Sequence, residues 1–145
     1  MKFKSFTLFL FLVIFSISTF AQSDILAGKW GLQSIKVDGN DFTIPVGQRR
    51  PEIRRVDFQP NGKLGIRITC NSASGKYSVR KNNRFKYTSG ITTMMFCGTE
   101  EHEFANIFNK TFTKVTKYTI KNKVLTFQDN SGANILTFIP APKGN

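Results

Sequence analysis

Apolar and polar side chains alternate along most of the chain beyond residue 27, with the period of two that a half-buried β-strand produces. In the clearest stretch, Leu64, Ile66 and Ile68 alternate with small or polar neighbours. The same pattern predicts strands over residues 28–37 and 53–58, and around Tyr77 and Val79, Phe85 and Tyr87, Tyr118 and Ile120, Leu125 and Phe127, and Ile135 or Leu136 with Phe138.

Short polar segments that favour turns separate these strands. Residues 59–62 combine proline with Asn-Gly, which is a strong hairpin signal, and Asn or Asp recurs in residues 81–83, 121–123 and 129–132. Turns this short join antiparallel neighbours. The chain is therefore predicted to be mainly β, within the α+β class, with an antiparallel sheet of seven or eight strands or a partial barrel.

One segment, residues 99–112, departs from this pattern and predicts a single packed helix. Thr99 is a candidate N-cap, and three glutamates follow where a helix dipole favours negative charge. The apolar side chains of Phe104, Ile107 and Phe108 then recur at helical spacing, and Thr111 continues the spacing. The helix must lay this apolar face on the sheet or fill the end of a barrel.

The first twenty-one residues have the features of a secretory signal. Lys2 and Lys4 precede an apolar run that is too short for a membrane span, and small residues lead to a cleavage site after Ala21. An uncleaved anchor is the alternative. We expect a mature single domain over residues 22–145, exported to the periplasm or beyond, with no transmembrane span after signal cleavage.

The chain is strongly basic, with a formal net charge of +12, which falls to +10 when Lys2 and Lys4 leave with the signal. The sharpest feature is an arginine cluster formed by Arg49, Arg50, Arg54 and Arg55. Guanidinium groups bind carboxylates and phosphates in pairs of hydrogen bonds, so the cluster is a candidate site for an anionic surface or glycan. Export argues against nucleic acid as a partner. The alternative is a charged loop that leads into an edge strand.

Signals of catalysis are weak. The single histidine, His102, lies among glutamates in the first turn of the predicted helix, and its surface exposure there is the simpler interpretation. One histidine and two cysteines provide too few ligands for a structural zinc site. The sequence has neither a nucleophile-elbow serine nor a glycine-rich phosphate loop. We expect no enzymatic activity, no metal and no cofactor.

The mature chain holds two cysteines, Cys70 and Cys97. An even number in an oxidising compartment predicts one disulfide, which would stabilise the fold by about 3.5 kcal/mol in the chain-entropy model. Two buried thiols are the alternative. Trp30, near the start of the first strand, is either a core anchor or the floor of a pocket.

Several ordered landmarks resemble the META domain (HslJ-like) family over almost all of the mature chain. The first landmark, residues 26–34, contains Gly28 and Trp30. The second combines Cys70 and Asn71 with Gly75 and Tyr77, and the third, residues 93–97, contains Thr93, Met95 and Cys97. Thr69 stands where the family usually has glycine.

The resemblance implies a compact antiparallel sheet or partial barrel with a packed helix. Family members are secreted or envelope proteins, some are linked to stress, and no enzymatic activity comes with the resemblance. In the fold that the resemblance implies, a Cys70–Cys97 bridge fastens the loop before the helix to the sheet. Asn71 satisfies turn backbone groups, Gly75 supplies a positive φ, and Met94 and Met95 fill space under the loop.

The favoured hypothesis is a non-catalytic, stress-related envelope module that acts through an unidentified protein, an envelope component or an anionic surface. The alternative is a lipocalin-like carrier, because Gly28-Lys29-Trp30 resembles the opening of that family and an eight-stranded barrel can hold one small ligand. The helix counts against the carrier, since it falls between the predicted fifth and sixth strands, whereas lipocalin strands are consecutive. A third hypothesis is a secreted inhibitor that presents a rigid loop.

Overall fold

The computed structural model describes residues 25–46 and 54–142 of the chain. The predicted signal, residues 1–21, lies outside the described residues, as do Arg49 and Arg50. No helix in the described part is long and apolar enough to cross a membrane.

The described residues form nine strands and one helix. In chain order they are β1 (Gly28–Val37), β2 (Asn40–Phe42), β3 (Arg55–Phe58), β4 (Lys63–Arg67), β5 (Ser72–Arg80), β6 (Arg84–Thr92), α1 (Thr99–Lys114), β7 (Lys117–Lys121), β8 (Val124–Gln128) and β9 (Ile135–Pro140).

The strands close into an antiparallel barrel. From β3 to β9 each strand pairs with its neighbours in sequence, and the long first strand β1 pairs with both β3 and β9. Eight strands therefore form a closed barrel, and β2 is an extra strand that pairs with the end of β1. The predicted fold class is confirmed. The three-residue β2 is too short to show alternation, so α1 follows the sixth strand rather than the fifth.

The turns work as their sequences predict. The β7–β8 hairpin is closed by Asn122 and Lys123, both of which have positive φ. Two such residues give the turn twist that matches the right-handed twist of the strands, and asparagine tolerates this conformation better than most residues. The β5–β6 turn likewise uses Asn82 and Asn83 at positive φ.

Aromatic side chains fill the barrel interior. The ring of Phe127 lies within about 6 Å, centroid to centroid, of the rings of Phe58, Phe85, Phe112 and Phe138. An eight-stranded barrel is just wide enough for side chains to fill it, and here they do. Trp30 belongs to the same core: it is 9% exposed, and its Nε1 donates a hydrogen bond to the Leu26 carbonyl at 2.9 Å. Of the two interpretations of Trp30, the core anchor is correct.

The helix completes this core where the barrel wall is weakest. Strands β6 and β7 share a single residue pair, Arg84 with Lys117, and α1 is the connection between them. The buried residues of α1 are Phe104, Phe108, Thr111 and Phe112. The helix extends two residues beyond the predicted end. Thr99 is its first residue rather than its N-cap, because Gly98 holds the cap position and no side chain caps the helix.

Gly75 has a different role from the predicted positive φ, because its φ lies outside the left-handed region. It lies beside a β-bulge in the β5–β6 ladder. A Cβ atom at Gly75 would lie 2.5 Å from the Thr88 carbonyl oxygen and 2.6 Å from Cε2 of Tyr87. The position therefore needs glycine for close packing between strands rather than for backbone conformation.

Replacing Gly75 by alanine is expected to lower the free energy of unfolding by about 2 kcal/mol, since the added methyl group meets backbone that cannot move away easily. Urea denaturation measures the loss. Gly65→Ala is the matched control in the adjacent strand, because its Cβ would meet only the Cβ of Asp57, at an ordinary 3.7 Å. Equal losses in the two variants would contradict the packing role.

Candidate functional site

A disulfide between Cys70 and Cys97 joins the segment after β4 to the residue before the α1 cap, with the two Cα atoms 6.0 Å apart. The predicted bridge is confirmed. It fastens both ends of the β5–β6 hairpin and holds the start of α1 against the sheet. A disulfide of this kind is compatible with an exported protein.

Asn71 holds the loop that follows β6, residues 93–97, which we call the 93–97 loop. Its Oδ1 accepts hydrogen bonds from the Met95 backbone N–H at 2.7 Å and from the Thr93 hydroxyl at 3.1 Å. Its Nδ2 donates to the Met95 carbonyl at 2.8 Å. One side-chain amide thus satisfies both backbone groups of Met95, as a neighbouring strand would do. Asn71 therefore fixes the conformation of the loop.

The family landmarks consequently form two groups in space. Asn71, Thr93, Met95 and the two cysteines meet around the 93–97 loop. The others lie in strands. Tyr77 is buried in β5, and its hydroxyl donates to the Gln59 carbonyl at 2.9 Å, while Gly28 and Trp30 begin β1.

The prediction that Met94 and Met95 fill space under the loop is wrong. Met94 is 92% exposed and Phe96 is 81% exposed, and Met95 between them is also exposed. Ile91, near the end of β6, is exposed as well. The reason is the hydrogen bonding of Asn71, which binds the backbone of Met95 and so holds the loop with its side chains outward. Hydrophobicity alone could not distinguish a buried methionine from an exposed one.

A cleft of about 370 Å³ lies between the 93–97 loop, the inner face of β4 and β5, and the exposed face of α1. Its floor is apolar and includes Ile66, Ile68 and Phe108, all of which are buried. The helix contributes the polar side chains His102, Asn106 and Asn109. These three recur along one face of α1, where residues three and four positions apart are neighbours. Apolar walls with a few polar groups are typical of a binding site.

Arg54 does not belong to a free anion-binding surface, contrary to the prediction for the arginine cluster. It is 8% exposed and forms an ion pair with Glu101, with Nη2 to Oε1 at 2.6 Å. Its guanidinium also donates to the carbonyls of Ile68 and Pro45, both at 2.7 Å, and lies 4.5 Å above the centre of the Phe104 ring. These contacts tie the first turn of α1 to the segments that surround it.

The remaining arginines of the cluster have different positions. Arg55 begins β3, where it is half-buried and has no ion pair within the described part of the chain. Arg49 and Arg50 lie outside the described residues, so their anion-binding role stays a prediction. Sequence reasoning missed the ion pair because Glu101 lies in an acidic helix start that the dipole already explains.

The side chains that line the cleft offer hydrogen-bonding groups and apolar contact surface. His102 is exposed, and across residues 25–46 and 54–142 no group of three His, Cys, Asp or Glu side chains lies close enough together to hold a metal ion. Tyr87, in β6, packs its ring on Phe112 of α1, and burial raises the pKa of the Tyr87 hydroxyl above its ordinary value. The lack of enzymatic activity stays a prediction.

The described residues thus form a closed eight-stranded barrel with one inserted helix and a loop fastened by a disulfide. Residues 23–142 match the family model of the META domain, and the chain therefore belongs to the META domain family. No protein of curated function is significantly similar in sequence.

Two solved structures share the fold. A DUF4847 family protein from Bacteroides vulgatus ATCC 8482 is 11% identical, with a TM-score of 0.63 over 81% of this chain and 95% of that one. A protein from Burkholderia xenovorans is 18% identical, with a TM-score of 0.68 over 86% of this chain and 90% of that one. At these identities the likeness shows the fold alone.

Proposed function

We propose that this META-domain protein is an exported, non-catalytic binding module that acts under stress in the periplasm or outside the cell. Its binding face is the 93–97 loop together with the adjoining cleft, and its partner is a protein component of the envelope. The observation that supports this proposal most strongly is the exposure of three consecutive apolar side chains, Met94, Met95 and Phe96, on a loop that is fixed at both ends.

Exposed apolar side chains on a fixed loop favour binding for two reasons. A contiguous apolar patch on a small protein is typical of an interaction surface, and methionine adapts its shape to different partners. A loop already held by Asn71 and the disulfide loses little further conformational freedom on binding. Binding therefore carries little entropic cost for ordering the loop.

The non-catalytic part of the proposal rests on the side chains around the cleft. Among the described residues that line it, His102 is the only titratable group. The hydroxyl of Thr93 is engaged by Asn71 and by the backbone of Ser72. This set can bind and orient a partner, but it lacks a nucleophile paired with a base.

The positive charge supports an envelope location for the partner. A mature net charge of +10 attracts anionic surfaces and speeds the encounter with acidic proteins. Arg49, Arg50 and Arg55 are the arginines of the cluster that we propose for contact with an anionic surface or glycan. Nucleic acid is not a partner in this proposal.

Placing a photo-crosslinking amino acid at Met94 is expected to yield a discrete cross-linked product with an envelope protein in living cells. The same amino acid at Ile139, an exposed apolar position on β9, is the matched control and should yield none. The double variant Met94→Ser/Phe96→Ser should remove the partner while it changes the free energy of unfolding by less than about 0.5 kcal/mol, because both side chains are exposed. Equal cross-linking at both positions would contradict the proposal.

The second candidate is a carrier of a small apolar molecule, and the observation that favours it is the 370 Å³ cleft with its apolar floor. The ligand would lie in this cleft rather than inside the barrel, which aromatic rings fill. Native mass spectrometry of protein purified from its host tests the carrier. A bound mass that disappears in Ala105→Trp, where a large side chain fills the cleft, would favour it, and an unliganded wild-type protein would exclude it.

A further inference from the structure

The strand β6 has a free edge beside the cleft. On the side away from β5, its one described strand pairing is Arg84 with Lys117, and the Phe85 N–H donates to the Thr116 carbonyl at 2.8 Å. Backbone groups alternate sides along a strand, so those of Tyr87 and Ser89 point the same way as those of Phe85. They have no backbone partner within the described part of the chain. This edge can therefore accept another strand.

The residues along this edge of β6 do little to prevent another strand from pairing with it. Residues 87–96 include no charged residue and no proline, and residues 88–92 are all exposed. Natural proteins usually guard a free edge with lysine, proline or a bulge, since an open edge is a template for pairing. Lys86 and the bulge opposite Gly75 are such devices, and they lie on either side of the segment around Tyr87 and Ser89. Strand addition is consequently open along the exposed backbone that begins at Thr88, next to Tyr87, whose half-buried ring packs on Phe112 of α1.

The free edge and the cleft belong to one surface. Thr92, Thr93 and Met94 continue β6 along the cleft, and Asn106 and Asn109 face them from α1. A segment laid against β6 would extend towards the apolar floor of the cleft. Because side chains of a strand alternate between two faces, every second side chain of the segment would point to that floor.

The charge around the β6 edge determines which kind of peptide segment would be attracted to it. Between Ser72 and Thr92 the hairpin carries five basic residues and no acidic one, namely Lys76, Arg80, Lys81, Arg84 and Lys86. A second copy of the chain would bring the same positive charge to the edge and be repelled. An acidic segment would be attracted.

We infer that β6 binds an extended, acidic segment of a partner protein as an added strand, with alternate apolar side chains in the cleft. The inference rests on the proposed function and names the chemistry of its partner. Main-chain hydrogen bonds to Tyr87 and Ser89 supply affinity, and the cleft and the basic hairpin supply selectivity.

A displayed library of random peptides of about seven residues, the ordinary length of a strand, is the first probe. Selection on the oxidised mature protein should enrich peptides with alternating apolar residues and Asp or Glu. Synthetic copies N-methylated at the backbone positions that face β6 should bind about tenfold more weakly or worse, while copies methylated at the alternate positions stay within about twofold. Amide exchange at Tyr87 and Ser89 should slow about tenfold or more in the complex.

Each other result overturns the inference in a recognisable way. If both methylated series bind equally but Met94→Ser/Phe96→Ser abolishes binding, the loop binds through side chains, so strand addition fails while the proposed function stands. If the selected peptides bind the double variant as well as the wild type, the proposed function fails. A selection without binders, binders without acidic residues, or self-association of the protein through β6 would each contradict an acidic added strand.

Discussion

Replacing Arg54 by alanine is expected to lower the free energy of unfolding by about 4 kcal/mol, the largest loss we predict for a single substitution. The variant leaves the carboxylate of Glu101 largely buried without its partner, and it leaves the carbonyls of Ile68 and Pro45 without a donor. It also removes the cation from the face of Phe104. Urea denaturation of the mature protein measures the change.

Arg55→Ala is the matched control, because Arg55 is the next residue, carries the same charge and has no ion pair within the described residues. Its effect should stay within about 0.5 kcal/mol. The loss of unfolding free energy in Glu101→Gln should lie between those of Arg54→Ala and Arg55→Ala, since the amide retains a hydrogen-bond acceptor for the guanidinium. Equal effects of Arg54→Ala and Arg55→Ala would mean that the ion pair does not stabilise the fold.

Removing the disulfide is expected to lower the free energy of unfolding by about 3.5 kcal/mol, because the unfolded chain regains the freedom of a long loop. The sequence separation of Cys70 and Cys97 is 27 residues. The variant Cys70→Ser/Cys97→Ser and the wild type in a reductant should show the same shift of the urea midpoint. The reductant should leave the double variant unchanged, which separates the disulfide from other effects. An unchanged midpoint in the reduced wild type would contradict the prediction.

These two connections act on the same part of the molecule. Arg54 ties the first turn of α1 to the segments before β3 and after β4, while the disulfide ties the residue before the cap of α1 to the end of the same β4 segment. Both therefore position the helix wall of the cleft relative to its strand wall. The proposed binding face would then keep its shape without a ligand, so both losses are expected to reduce partner binding as well as stability.

The barrel itself could be predicted from the sequence, because its determinants are local. Alternation marks a strand such as β4, and Asn122 marks a turn that needs positive φ. The spacing of Phe104 and Phe108 predicts a helix with one buried face. Each signal depends on residues that are close in sequence. The sequence predicts a sheet or a partial barrel but not the closure between β1 and β9, since that closure pairs residues from opposite ends of the chain.

The site could be predicted only in part, because its determinants are contacts between distant segments. The cysteine count predicts the disulfide, but the outward direction of Met94 depends on Asn71, which is remote in sequence. The pairing of Arg54 with Glu101 likewise joins two segments across the fold. The close approach at Gly75 depends on the register of β6. None of these contacts leaves a periodic signal in the sequence.

The central claim is that the 93–97 loop is a rigid binding face held by the disulfide and Asn71, and backbone ¹⁵N relaxation of the mature protein tests it most directly. Amides of the loop should have order parameters near those of the strands, about 0.8 or higher, in the oxidised protein. They should fall below about 0.6 after reduction of the disulfide or in Asn71→Ala. Order parameters below about 0.6 in the oxidised wild type would contradict the account, because a mobile loop would not be a pre-formed site.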